Sequence, residues 1–268
     1  MTKTTVSVLI ALLITATSAC ELGEDELDHD ALDELLDQAD DSAKNELPAP
    51  IIAGGQIDNT THLSVGYLSL NGNVFCSGQL VTPTIFLTAG HCTHLIQNNA
   101  KFALGKIRVG FGDVNWNYRV KAKAVHTHGS FDMVIGNPHD IGLVVLEGRP
   151  AYVPIAKIGR PAVGQTITLT GYGANDWRVP NLRKTGVSRY VSRTNRGIIN
   201  VSGNDSQCGG DSGSAAMRRN GAQNVVLSIL SYGNNNNCTT NGTFNNGHVD
   251  LRQDGNWQVL AYIGATIL

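Results

Sequence analysis

The stretch Cys208-Gly209-Gly210-Asp211-Ser212-Gly213-Ser214 packs three glycines, an acid and two hydroxyls into a short span of a 268-residue chain. Alone it reads as a loop, because Gly, Asp and Ser gather where a backbone turns. Outward from it lie short alternating or apolar runs. Val225 to Leu230 follows it, and Gly186 to Ser192, Gln165 to Thr170, Ile141 to Leu146, Arg119 to Val125, Ile85 to Thr88 and His62 to Leu70 precede it. Gly, Asn and Pro punctuate these runs, the pattern of strands joined by turns. Beyond residue 51 only Trp257, Leu260, Ile263 and Ile267 fall at a convincing helical spacing. The expectation is an all-β sandwich or barrel with a short C-terminal helix. No repeat of fixed period is visible, and the run Asn234 to Asn237 is short enough to be one loop.

Composition narrows the class. With 41% hydrophobic and 16% charged residues, and Gly 30 against Pro 8, disorder and collagen are excluded and one or two compact domains are expected. The net charge of −2 hides an uneven distribution: twelve of the 22 acids precede residue 51, where only Lys3 and Lys44 offset them, so the body carries +8. That excess reads as a solvated surface, with no nucleic-acid partner expected.

The first fifty residues read as a leader. Lys3, the apolar run Val6 to Ile14 and Thr17-Ser18-Ala19 match the parts of a secretory signal peptide, assigned to residues 1–19. The run is too short for the roughly 20 residues a bilayer needs. Thr17-Ser18-Ala19-Cys20 resembles a bacterial lipoprotein processing site, so the body is expected to be secreted, or extracytoplasmic and lipid-anchored at Cys20. A membrane partner is expected only in the second case. Residues 20–51 are acidic, with Leu27, Ala31, Leu35 and Ala39 at helical spacing before Pro48-Ala49-Pro50. They read as a solvated spacer or as a propeptide complementary to the basic body, and the domain assignment takes them as a propeptide.

Two further segments, Leu87-Thr88-Ala89-Gly90-His91-Cys92 and His139-Asp140-Ile141-Gly142-Leu143, stand in order before the Ser212 segment. Together the three resemble the chymotrypsin/trypsin-like serine peptidase family, over nearly all of the chain after residue 51. The resemblance implies two packed six-stranded antiparallel β-barrels over residues 52–268, with the site between them and no metal or organic cofactor. The five cysteines suit an exported chain. With Cys20 in the leader, the expected disulfides are Cys76 with Cys92 and Cys208 with Cys238. A zinc site is disfavoured because no close CxxC pair exists.

The chemistry explains the residue types. A serine hydroxyl needs a base to take its proton as it attacks, and an imidazole that becomes cationic is favoured by a buried carboxylate on its other ring N–H. By resemblance Ser212 attacks, His91 moves the proton and Asp140 orients and stabilises it, while the N–H groups of Gly210 and Ser212 receive the developing oxyanion. The other histidines, including His126 and His128, carry no such support and read as surface residues.

The resemblance also implies a zymogen. Ile52-Ala53-Gly54-Gly55 looks like the family's mature N-terminus, whose freed ammonium pairs with the acid before the serine, Asp211. Pro50 and Ile51 stand where Lys or Arg would invite a tryptic cut, so a separate activating protease is expected, with Ile51 the alternative terminus. Ser231-Tyr232-Gly233 resembles the segment that pairs with an extended substrate. Gly233 and Gly242 match positions that keep the specificity pocket open. Ser206 matches the pocket floor and, being neutral, favours an apolar or aromatic side chain. Asp205 lies one residue away and could turn its charge inward, and Gln207 is long enough to narrow the pocket. The expected activity is a monomeric serine endopeptidase acting on protein or peptide. A catalytically inactive binding homologue and a serine esterase are the alternatives, although the chain lacks G-x-S-x-G. Asn59, Asn200, Asn204, Asn237 and Asn241 sit in N-x-S/T sequons, which are glycosylated only in a suitable host.

Overall fold

The computed structural model describes residues 55–112, 119–173, 182–194, 196–203, 205, 207–233, 244–253 and 255–267. All belong to the unit Leu47–Leu268. After a short β1 (Gln56–Ile57), the first half contains β2 (Val65–Leu70), β3 (Asn73–Leu80), β4 (Ile85–Thr88), helix α1 (Gly90–Asn98), β5 (Ile107–Phe111), β6 (Arg119–Thr127) and β7 (Gly142–Leu146). The second half contains β8 (Lys157–Ile158), β9 (Thr166–Gly171), β10 (Lys184–Arg193), β11 (Ile198–Gly203), β12 (Ala215–Asn220), β13 (Gln223–Gly233), β14 (Phe244–Asp250) and helix α2 (Asn256–Tyr262).

Both halves close. Strands β2-β3-β4-β7-β6-β5 form one barrel, every neighbour antiparallel, with β5 returning to β2. Strands β9-β10-β11-β14-β13-β12 form the other, because β9 pairs antiparallel with both β10 and β12. Closure removes the unpaired edges that an open sheet would present. The expected architecture of two six-stranded antiparallel barrels is therefore the one observed, with β1 added at β10 and β8 running parallel to β13.

Each barrel has its own core, Leu68, Leu80, Phe86, Ile107, Val109 and Val144 in the first and Ile167, Leu169, Tyr190, Ile199, Val201 and Leu227 in the second. A third cluster fills the seam, including Val65, Leu87, Ile141, Tyr172, Met217 and Ile229. There Tyr67 of β2 meets Tyr172 edge to face, ring centroids 5.0 Å apart. In β10 the buried positions are Gly186, Ser188 and Tyr190, while Val187 and Val191 face solvent. The second barrel thus has a partly polar interior.

The C-terminal helix is shorter than the apolar spacing suggests. Leu260 is buried, but α2 stops at Tyr262, and Ile263 and Ile267 lie beyond it. Gly264, at φ +78°, lets the chain leave the helix while Ala265 N–H returns to the Leu260 carbonyl at 3.0 Å. Ile267 then bridges Ile158. Helix α1 has no clear sequence signal, since its buried residues, Gly90, Cys92, Thr93 and Ile96, form no regular apolar stripe. Among the described residues no helix is long and apolar enough to cross a membrane.

Candidate active site

Helix α1 begins at the seam with no side-chain cap of its own. Asp140, 3% exposed, takes that role from the segment preceding β7: its Oδ1 accepts the His91 backbone N–H at 2.8 Å. Its Oδ2 contacts His91 Nδ1 at 2.9 Å. One carboxylate therefore satisfies a free helix N–H and holds the imidazole through Nδ1, leaving Nε2 for a partner on the other side. Ser231 Oγ donates a third hydrogen bond to Asp140 Oδ2 at 2.6 Å. The pairing of β13 with β14 shifts register between Leu230 and Tyr232, and such a bulge re-aims the intervening side chain, Ser231.

The disulfide Cys76–Cys92 ties α1 to β3. It also excludes one metal site: Cys76, His91 and Cys92 bring ligand atoms within 4.8 Å of one another, but the bonded sulfurs offer no thiolates. Cys208 is buried, while Cys238 lies outside the described residues, so the second expected pair has no described geometry.

Ser212 occupies the turn between β11 and β12. Ser77 of β3 stitches that turn to the first barrel: its N–H donates to the Ser212 carbonyl at 2.9 Å and its Oγ to the Gly210 carbonyl at 3.0 Å. The same Oγ accepts the Tyr172 N–H at 2.9 Å. Gly210 has φ +81°, a left-handed conformation that glycine adopts without strain. Among the described residues, the N–H groups of Gly210 and Ser212 meet no acceptor. Among the described residues Ser212 Oγ forms no hydrogen bond with His91 either.

Asp211 is fully buried behind the turn, where its Oδ1 accepts the Gly173 N–H at 2.7 Å and its Oδ2 the Cys208 N–H at 2.9 Å. Its expected partner, Ile52, lies outside the described residues, as do Ser206 and Gly242. Segments 207–209 and 230–233, with Ser212, line a cavity of about 130 Å³. Gln207, Tyr232 and Gly233 are thus brought to one pocket beside Ser212. Asp205 is turned elsewhere, its Oδ2 accepting the Val187 N–H at 2.6 Å and its carbonyl the Ser188 hydroxyl at 3.2 Å.

One expectation about the histidines changes. His128 is not a free surface residue: half-buried, it stacks on His139 with centroids 4.7 Å apart, and burial followed by the charge of His139 holds its pKa below the ordinary value. His126 is exposed, as expected. Sequence reasoning also missed Ser77 and the orienting role open to the Ser231 side chain, since isolated serines in strands carry no distinguishing pattern.

A family model described as Trypsin matches residues 51–249. Serine protease 1 of Drosophila melanogaster is 28% identical over 204 residues, covering 65% of this chain and 71% of that protein. Trypsin of Phaedon cochleariae is 27% identical over 188 residues, covering 59% and 69%. Among solved structures, neuropsin, a serine protease expressed in the limbic system of mouse brain, superposes with a TM-score of 0.61 over 78% of this chain and 98% of its own, at 18% identity. That last likeness is one of fold.

Proposed function

The chain belongs to the trypsin family and is a serine endopeptidase, and from that premise we propose that Ser212, His91 and Asp140 are its catalytic groups. The observation that carries this reading is the Asp140 carboxylate, which spans both the backbone N–H and the Nδ1 of His91. So held, His91 presents Nε2 as the base. Ser212 Oγ bonds to the substrate carbonyl carbon while its proton passes to His91, and the carbonyl oxygen becomes an anion received by the N–H groups of Gly210 and Ser212. The C–N bond then breaks, His91 returns the proton to the leaving amine, and water repeats the sequence to release the acid from the acyl-enzyme. The buried carboxylate stabilises the imidazolium without taking its proton.

The chain is made as an exported zymogen: residues 1–19 direct export, residues 20–51 are a propeptide, and a separate protease frees Ile52. The new ammonium pairs with Asp211, whose burial makes an uncompensated charge there costly. The described lining of the pocket is uncharged, and Asp205 is engaged with β10, so the residue preceding the cleaved bond is uncharged.

A cleavage profile on a diverse peptide library tests this, using protein with and without residues 20–51. Cleavage only after leader removal is expected, with Ser212→Ala lowering kcat by about 10⁶-fold, as loss of such a nucleophile does elsewhere. Peptide cleavage surviving in Ser212→Ala would overturn the assignment. Asp211→Asn is expected to be processed yet poorly active, and full activity there would remove the activation mechanism.

A further inference from the structure

Gln207 lies in the pocket wall, 1% exposed, with both ends of its amide engaged. Its nitrogen donates to Ser214 Oγ and its oxygen contacts His248 Nε2 at 2.6 Å. His248, on β14, is fully buried, and its Nδ1 lies 3.2 Å from Ser228 Oγ on β13. Ser228 Oγ is in turn 2.6 Å from the hydroxyl of Tyr190 on β10. The chain of contacts crosses three strands of the second barrel and ends at the wall of the pocket.

The protons in this chain have one self-consistent order. The Tyr190 hydroxyl is buried and meets Ser228, so it is satisfied as a donor only if it donates to that oxygen. Ser228 then donates to His248 Nδ1, His248 Nε2–H to the Gln207 oxygen, and the Gln207 amide to Ser214. The reverse order leaves the tyrosine proton buried without an acceptor. Burial lowers the pKa of His248 to about 3, so the ring stays neutral and the order holds at ordinary pH.

Gln207 cannot swing aside without leaving two buried groups, His248 Nε2–H and Ser214 Oγ, short of a partner. The space left beside it is about 130 Å³, including the mouth at Ser212. An engineered apolar cavity of about 150 Å³ binds benzene. The space beside the fixed Gln207 amide is of that order or smaller, so a planar ring competes with the amide for it more than a valine or threonine side chain does.

We propose that Gln207, locked by His248, Ser228 and Tyr190, partitions the specificity pocket so that the protein cleaves after small and medium uncharged residues and rejects aromatic ones. This rests on Ser212 being the nucleophile beside that pocket. Gln207 is the residue that meets the substrate, and His248 is a positioning residue acting through it. The aromatic half of the preference drawn from Ser206 is thereby set aside in favour of alanine, serine, threonine and valine.

The test uses protein expressed from the full chain and isolated after processing, as wild type, Gln207→Ala, His248→Leu, the double variant and Ser212→Ala. A fluorophosphonate probe counts active sites, and peptide anilides differing only before the cleaved bond, in Ala, Val, Phe or Lys, give kcat/KM for each. Wild type is expected to favour Val and Ala over Phe. Gln207→Ala is expected to raise the Phe/Val ratio by about tenfold or more, the range that a change in pocket volume commands. His248→Leu should raise the same ratio, and adding it to Gln207→Ala should change nothing further, which separates positioning from general destabilisation. A wild type that labels but prefers Phe or Lys overturns the partition and leaves the nucleophile assignment standing. A Phe/Val ratio unmoved in Gln207→Ala does the same, and does so even if His248→Leu fails to fold. Wild type that the probe does not label overturns the nucleophile assignment and the partition with it.

Discussion

Asp140 concentrates the site's electrostatics in one side chain. It receives hydrogen bonds from the His91 backbone, the His91 ring and Ser231, all while nearly excluded from solvent. Replacing it with Asn keeps the shape but lets the imidazole take the wrong tautomer, so kcat is expected to fall about 10⁴-fold with little change in KM. Ser231→Ala removes only one of those bonds, and hydrogen bonds to charged groups are worth about 1.5–3 kcal/mol, so a loss of about tenfold or more in kcat is expected. Steady-state kinetics on one peptide substrate checks both; a Ser231→Ala effect confined to KM would mean that its hydroxyl serves substrate rather than Asp140. His91, Asp140 and Ser212 were legible as candidates because each sits in a distinctive segment. Ser231 and Ser77 were not, because what singles them out is the atom they face across the seam.

At the scale of elements, α1 depends on its surroundings. It spans only Gly90–Asn98, has no side-chain cap and presents an irregular buried face, whereas isolated helices shorter than about 12–15 residues are marginal in water. Packing against the barrel, the Cys76–Cys92 bond and the Asp140 carboxylate hold it in place. A disulfide closing a loop of about 15 residues contributes about 3 kcal/mol in the chain-entropy account, so replacing both cysteines with serine is expected to lower the urea midpoint correspondingly. An unchanged midpoint would show that packing alone secures the helix. Local pattern found most strands of the two barrels but not α1, since no periodic stripe announces a helix whose stability is supplied by other elements. The same limit made the C-terminal helix look longer than it is, because apolar spacing runs on from Ile263, which closes the helix, to Ile267, beyond the turn at Gly264.

For the whole molecule, buried titratable groups set the response to acid. His248 has a pKa near 3 in the fold against an ordinary 6.5, so between those values the unfolded chain binds a proton that the folded one refuses. Stability therefore falls as pH drops through that window. His128, also held low, acts in the same direction. At Asp58 burial raises the pKa, but hydrogen bonds from His62 and Thr61 and the nearby Arg183 charge outweigh it and hold the carboxyl below the usual range. Its contribution is present above about pH 4 and is lost as pH falls further. The urea midpoint is expected to decline from about pH 6.5 downward, and His248→Leu to flatten the upper part of that decline; an identical slope in the variant would assign the effect to other groups. The sequence by itself determined the all-β class, because short strand patterns are written in neighbouring residues, while the family resemblance carried by its motifs supplied the expectation that the His91, Asp140 and Ser212 segments share one site and that Cys76 pairs with Cys92. Tertiary structure alone decided which way Asp205 turns, what Ser77 and Ser231 hold, and that Gln207 is fixed through His248, Ser228 and Tyr190. Those outcomes depend on hydrogen bonds between residues far apart in the chain, whose partners exist only once the barrels have closed.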